Sequence, residues 1–202
     1  MTGSITRNIW AVGRNYLEHA KEMQAEVPKS PLIFLKAGSC ITSNSTIRLP
    51  GWSNDVHHEL ELAYLLDENL NYSHVTLGLD LTARDAQSAA KAKGQPWTRA
   101  KSFTGACPLG KWLPIKEIPA PDSFSFRLIK NQEVAQSANV KDMIFSPQIL
   151  LDHVRNFYPV CPYDIILTGT PEGVGPIKAG DRLEAILQSG NNEIFSCHWD
   201  VV

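Results

Sequence analysis

The chain has 202 residues, of which 43% are apolar and 20% charged, with a formal net charge of -2. That is enough for one domain, or two small ones, with a sizeable core. It gives no electrostatic case for nucleic acid or an anionic membrane as a partner. No apolar run approaches the roughly 20 residues that span a bilayer. The stretch MTGSITRNIWAVGRNYLEHAKE has no continuous apolar core of a secretory signal. A cytosolic protein is the expectation.

In chain order, strands are expected over 8–12, 31–35, 57–66, 75–80, 124–130, 164–168, 182–187 and 194–200. Three helices interrupt them. NYLEHAKEMQAE predicts a helix over 15–25, with Asn15 as its cap and Glu18 as the return partner of a capping box. LTARDAQSAAKAKGQPW predicts a second, capped by Thr82 with Asp85 as partner and stopped by Gly94 and Pro96. SPQILLDHVRNFYP predicts a third, with Ser146 as cap, Pro147 in its first turn and Leu150, Val154 and Phe157 as its buried stripe. The Pro-rich LPIKEIPAPDS reads as a surface connection. Many strands with few helices predict a β-rich α+β fold.

The strand VHHELELAYLL carries the first chemical signal. Side chains alternate along a strand, so Glu59 and Glu61 share a face that turns apolar further on. Two buried anions at that spacing repel, and burial penalises both. Either one takes a proton or a cation sits between them, and oxygen ligands suit Mg²⁺, Mn²⁺ or Ca²⁺. The pattern alone fits a solvated strand edge equally well. Asp80, where a strand gives way to the second helix, is the next anionic candidate. His19 and Glu22 lie three apart and share a helix face. Lys101 sits in the aromatic setting PWTRAKSF. LTGTPEGVGP is a strand entering a Gly-rich turn without the GK[ST] ending of a phosphate loop. Cys40, Cys107, Cys161 and Cys197 form no CxxC pair and read as reduced, packed thiols, with no cue that would make Cys107 a nucleophile.

The succession VGRNYLEHAKE, LIFLKAGSCI, VHHELELA, LGLDLTARDAQ, KGQPWTRAKSF and ILTGTPEGVGP resembles the fumarylacetoacetate hydrolase family, most of all its short acylpyruvate hydrolase and oxaloacetate decarboxylase branch. The resemblance implies one catalytic domain over 1–202 with a mixed β-sandwich roll, usually dimeric, and residues 15–25 as a lid helix. It implies Glu59, Glu61 and Asp80 as ligands of Mg²⁺ or Mn²⁺, with Ca²⁺ as a stand-in. It implies His19, Glu22 and Lys101 as catalytic groups, and Arg14, Gln87 and Thr170 as contacts of a small keto-acid substrate. The implied activity is metal-dependent hydrolysis of the C–C bond of an acylpyruvate, with oxaloacetate decarboxylation at the same site. A hydratase, isomerase or oxaloacetate tautomerase is the alternative, and a non-catalytic metal- or metabolite-binding protein a further one. Two departures stand out. The connection YLLDENLNYSHV is short and lacks the usual Gly-basic turn, and AQSANVKDMIF lacks the glycine common after its glutamine, which bears on the pocket wall or the subunit contact.

Overall fold

The computed structural model describes residues 7–23, 25–118 and 123–202. Its first strands are β1 (Ile9–Gly13), β2 (Leu32–Lys36), β3 (Ile41–Thr42), β4 (Thr46–Ile47), β5 (Val56–His58), β6 (Leu60–Leu66), β7 (Tyr72–Leu79) and β8 (Thr82–Ala83). Then come β9 (Cys107–Pro108), β10 (Leu113–Pro114), β11 (Phe124–Lys130), β12 (Glu133–Asn139), β13 (Ile165–Leu167), β14 (Gly175–Pro176), β15 (Arg182–Ser189) and β16 (Asn192–Val201). The helices are α1 (Leu17–Glu22), α2 (Arg84–Ala92), α3 (Thr98–Lys101) and α4 (Pro147–Phe157). No helix among the described residues is long and apolar enough to cross a membrane. The expected β-rich α+β class holds.

A six-stranded sheet runs β10-β7-β6-β13-β1-β2 and a five-stranded one β12-β11-β15-β16-β4. The first is mixed, because β1 pairs β13 in parallel and β2 antiparallel. Both faces of β1 are covered. Ile9 and Ala11 join the main core with Phe126, Leu128, Leu183 and Leu187 of the second sheet. Trp10 and Val12 join Leu150, Leu151 and Val154 of α4. Continuous apolar runs such as IWAV and IIL are therefore what this sheet requires. Asp164 fixes the entry to β13, accepting from the Trp10 indole at 2.9 Å and the Asn8 backbone N–H at 2.8 Å.

Several local expectations need correction. Asn15 caps nothing. Its side chain is fully buried, donates to the Phe145 and Thr168 carbonyls, and accepts from the Phe145 N–H. α1 therefore starts at Leu17 without a side-chain cap, and Gln24 lies outside the described residues. Thr82 also caps nothing. It belongs to β8, and its hydroxyl donates to the Asp80 carbonyl. Asp85 does not pair with it; Asp85 accepts instead from Ser53 Oγ and the Asn54 and Ala86 N–H groups. Ser146 does cap α4, accepting from the Ile149 N–H with Pro147 at the first helical position. Phe157, however, is 71% exposed because α4 ends there, and Leu151 completes the buried stripe. Of the Pro-rich connection, residues 119–122 lie outside the described residues. The short β6–β7 turn needs no glycine: Asp67 Oδ1 accepts the Asn69 and Asn71 N–H groups, and Leu70 takes the left-handed φ of 62°.

Candidate active site

Strand register builds the carboxylate cluster. Leu60 pairs Leu79 and Glu61 pairs Gly78 in the β6–β7 ladder, and the Asp80 N–H donates to the Glu59 carbonyl at 2.9 Å. Asp80 thus stands across from Glu59, with Glu61 one pleat along. Gly78 fits closely opposite Glu61: a Cβ there would meet Leu109 Cδ2 at 2.5 Å, and that leucine would have to shift. One oxygen from each of Glu59, Glu61 and Asp80 lies within 4.8 Å of the others, and all three residues are buried. The solvated-edge reading of the two glutamates is thereby excluded.

Three cations enclose this trio. Lys101, at the end of α3, donates to Glu59 Oε2 at 2.8 Å and to Asp80 Oδ2. Arg84 opens α2 and donates to Glu59 Oε1 at 2.6 Å. Lys36 closes β2, is fully buried, and donates to Asp80 Oδ1 at 2.6 Å and the Ala106 carbonyl at 3.1 Å. Glu61 accepts from the Gly169 N–H at 2.7 Å. Burial raises the pKa of Glu61, and the Asp80 and Glu59 charges push it further up. Burial also acts to raise Glu59, but Lys101 and Arg84 outweigh it and hold that carboxyl well below its ordinary range. For Lys101 burial opposes the charge, and Asp80 and Glu59 overcome it, so the ammonium stays protonated.

A hard divalent ion fits this donor set. With ligands at about 2.1–2.4 Å, opposed oxygens stand about 4.2–4.8 Å apart. The Glu61 charge has no direct cationic partner among the described residues, and it is the one an ion would relieve. Lys101 competes with such an ion for Glu59 Oε2 and Asp80 Oδ2.

Eight of the nine residues singled out in the sequence line one cavity of about 160 Å³, and the ninth, Glu22, stands behind His19. His19 Nδ1 lies 3.0 Å from Glu22 Oε2. A carboxylate only accepts, so Nδ1 carries the proton and Nε2 is left to receive one. Glu22 Oε1 also accepts from the Gly173 N–H at 3.2 Å, joining α1 to the loop after β13. Gln87 Oε1 accepts from Arg84 at 2.8 Å, which leaves the Gln87 NH₂ as the group that can donate to a ligand. Arg14 reaches the cavity from a left-handed φ of 58°.

Thr170 is positioned from the second sheet. Gln136, buried in β12, donates to Thr170 Oγ1 at 2.8 Å and to the Pro171 carbonyl, and its Oε1 accepts from the Leu60 N–H at 2.9 Å. Oε1 also faces His58 Nδ1 at 3.0 Å. The glutamine without its following glycine is therefore an internal strut, and Ser137 in the glycine's place points to solvent. Gly173 allows the close approach, at φ 86°, because a Cβ would meet the Ala135 carbonyl oxygen at 2.1 Å.

Sequence reasoning missed Lys36, Arg84 and Gln136. Arg84 had a usable signal, standing three residues before Gln87 on one helix face. The four cysteines are free, and burial drives the Cys107 thiol well above its ordinary pKa, so no nucleophilic thiol stands at the site.

The chain is similar to several known proteins. An oxaloacetate tautomerase, FAHD1, of Bos taurus mitochondria is 40% identical over 190 residues, covering 89% of this chain and 86% of the relative. A mitochondrial oxaloacetate decarboxylase of Dictyostelium discoideum is 38% identical, covering 88% and 87%. The crystal structure of fumarylpyruvate hydrolase from Pseudomonas aeruginosa in complex with Mn²⁺ and pyruvate matches at TM-score 0.89 and 26% identity, covering 100% of this chain and 94% of that one. Residues 8–195 match the model of the fumarylacetoacetate (FAA) hydrolase C-terminal domain, and with that extent of match the chain belongs to the fumarylacetoacetate hydrolase family.

Proposed function

We propose that this chain is a divalent-metal-dependent enzyme of small 2-keto acids, acting on oxaloacetate by keto–enol interconversion and decarboxylation. The observation that carries this reading is the buried carboxylate trio at the floor of a cavity of about 160 Å³. Pockets for drug-sized ligands run to roughly 300–1,000 Å³, so a four-carbon acid is the better match. The names of the relatives at 40% and 38% identity support it.

Glu59, Glu61 and Asp80 would hold Mg²⁺ or Mn²⁺. Such an ion would supply Lewis-acid stabilisation of negative charge developing on the substrate's oxygens. The protein's own groups do the rest. Lys101, protonated, and the Gln87 amide donate to charge building on the substrate oxygen. Arg14 and Thr170 hold the substrate in register. His19, oriented through Nδ1 by Glu22, offers Nε2 to a proton on the substrate's C3 and moves it between carbon and oxygen forms.

The same imidazole favours a second reading, acylpyruvate hydrolysis, in which Nε2 takes its proton from a water that attacks the distal carbonyl. His19→Ala separates the steps. Tautomerisation and hydrolysis should fall about 10²–10⁴-fold, the usual worth of a positioned base. Decarboxylation should fall less, because it breaks its C–C bond without prior proton removal. The measurement is kcat/KM for oxaloacetate enol, oxaloacetate and acetylpyruvate with Mn²⁺ in both proteins. Tautomerisation and hydrolysis both surviving near the wild-type rate would remove His19 from the chemistry.

α1 acts as a lid in this reading. Tyr16 and Ala20 are packed, while Leu17 is 44% exposed, so a helix of six residues is held along one edge. Oxalate with Mn²⁺ should slow amide hydrogen exchange over 17–23. Identical protection with and without oxalate would mean a permanently docked helix.

A further inference from the structure

We propose that Lys91, together with Arg14, forms a second anion subsite at the mouth of the cavity and selects 2-keto acids with a distal carboxylate over those with a neutral tail. This rests on the keto-acid reading above and goes beyond it by naming the residues that select the distal carboxylate.

The cavity has two electrostatically opposite ends. Its floor is the buried trio of Glu59, Glu61 and Asp80. Its exposed end carries Lys91, from the last turn of α2, and Arg14. Neither cation pairs with an acid among the described residues, whereas Lys36, Arg84 and Lys101 all do. Arg14 also holds a left-handed backbone, φ 58°, in a region where a non-glycine residue is uncommon. Such strain is retained where surrounding structure and function require it.

Lys91 is aimed rather than loose. Its Nζ lies 5.3 Å from the centroid of the Trp97 ring, another cavity residue, so the ammonium rests over an aromatic face. Burial works against its charge, and Arg84, Arg14 and Lys101 add repulsion, with Glu59 as the opposing influence. Excess positive charge therefore gathers at the mouth. A carboxylate placed there meets two unpaired cations and relieves their repulsion. A substrate held at the floor by its 2-keto acid end presents its other end to the mouth. A four-carbon diacid fills both ends, while a neutral acyl group leaves Lys91 and Arg14 uncompensated against Phe34 and Trp97.

The test uses unreactive 2-hydroxy acids on the Mn²⁺-loaded protein, read by calorimetry. L-malate carries the distal carboxylate and L-lactate does not. Wild type should bind malate at least about tenfold more tightly than lactate, the usual worth of one charge-assisted hydrogen bond. Lys91→Gln should cut that ratio several-fold, Lys91→Glu should bring it to one or below, and Lys91→Arg should restore it. Oxalate, which engages only the floor, should bind all four proteins alike. A wild-type ratio near one, or a ratio unmoved in both Lys91→Gln and Lys91→Glu while oxalate binds normally, would overturn the subsite and leave the mouth as an acyl-group wall. Failure of oxalate, malate and lactate alike to bind wild type would overturn the keto-acid reading and the subsite with it.

Discussion

Glu61→Gln should lower both Mn²⁺ affinity and kcat/KM by more than about 100-fold, given that even outer-shell partners of a metal are worth 10–100-fold. Melting temperature should stay unchanged or rise. The substitution keeps the shape of the side chain and an oxygen to accept from Gly169 at the existing 2.7 Å contact. What it removes is a charge that burial, Asp80 and Glu59 all disfavour. Loss of function with gained stability marks a residue retained for chemistry. A structural role would instead lower melting temperature and leave metal affinity alone. Mn²⁺ titration, steady-state kinetics and a thermal melt on the one variant separate these outcomes. Mn²⁺ binding within a few-fold of wild type would dissolve the proposed ligand set.

Lys36→Met should be strongly destabilising. Methionine replaces the buried stem well, but it leaves Asp80 Oδ1 without the ammonium at 2.6 Å, with Lys101 still on Oδ2. Removing one partner of a buried pair costs up to about 3–5 kcal/mol, the upper end applying where no second cation remains. For a chain of this size that lowers the melting temperature by up to about 6–20 °C. The Lys36→Met, Asp80→Asn double variant should recover part of the loss, because the penalty lies in a buried charge left with Lys101 alone. Lys21→Met is the control. Lys21 and Glu18 pair at 2.6 Å but are 62% and 58% exposed, so its effect should stay within about 1 kcal/mol. Equal shifts in the two single variants would mean that Lys36 contributes no more than a surface ion pair.

The carboxylate strand was partly legible: its two faces both turn apolar, which points toward a core, but the two glutamates by themselves fit a solvated edge equally well, and only the burial of the pair decides it. β12 was not legible. Its buried positions are Gln136 and Ala138 while Val134 is 62% exposed, so the alternation runs against polarity. Lys36 was hidden for a related reason. A lysine ending an apolar strand looks like an edge cation until the carboxylate it neutralises, 44 residues away, is in place. Asn15, Thr82 and Phe157 show the limit of local rules. Asn15 had the composition of a cap, but its amide binds loops 130 and 153 residues distant. Thr82 follows the sheet to which β8 belongs, and Phe157 continues a helical period past the point where sheet remains to cover it. The site residues were legible together because their motifs recur in family order, which no single spacing conveys.

The parallel pairing of β1 with β13 makes assembly of the molecule dependent on time as well as sequence. β2 follows β1 closely, but β13 is synthesised only after β3 to β12. Glu61 waits for the Gly169 N–H, 108 residues later, for about 5–22 s at ribosomal rates of 5–20 residues per second. Until then β1 has an open edge toward β6, and the acidic strand has no completed shelter. Non-local pairing of this kind also slows folding after release. The pocket is thus closed by residues made 108 positions after the carboxylate strand, and a nascent chain must keep an apolar strand edge from other partners until they arrive.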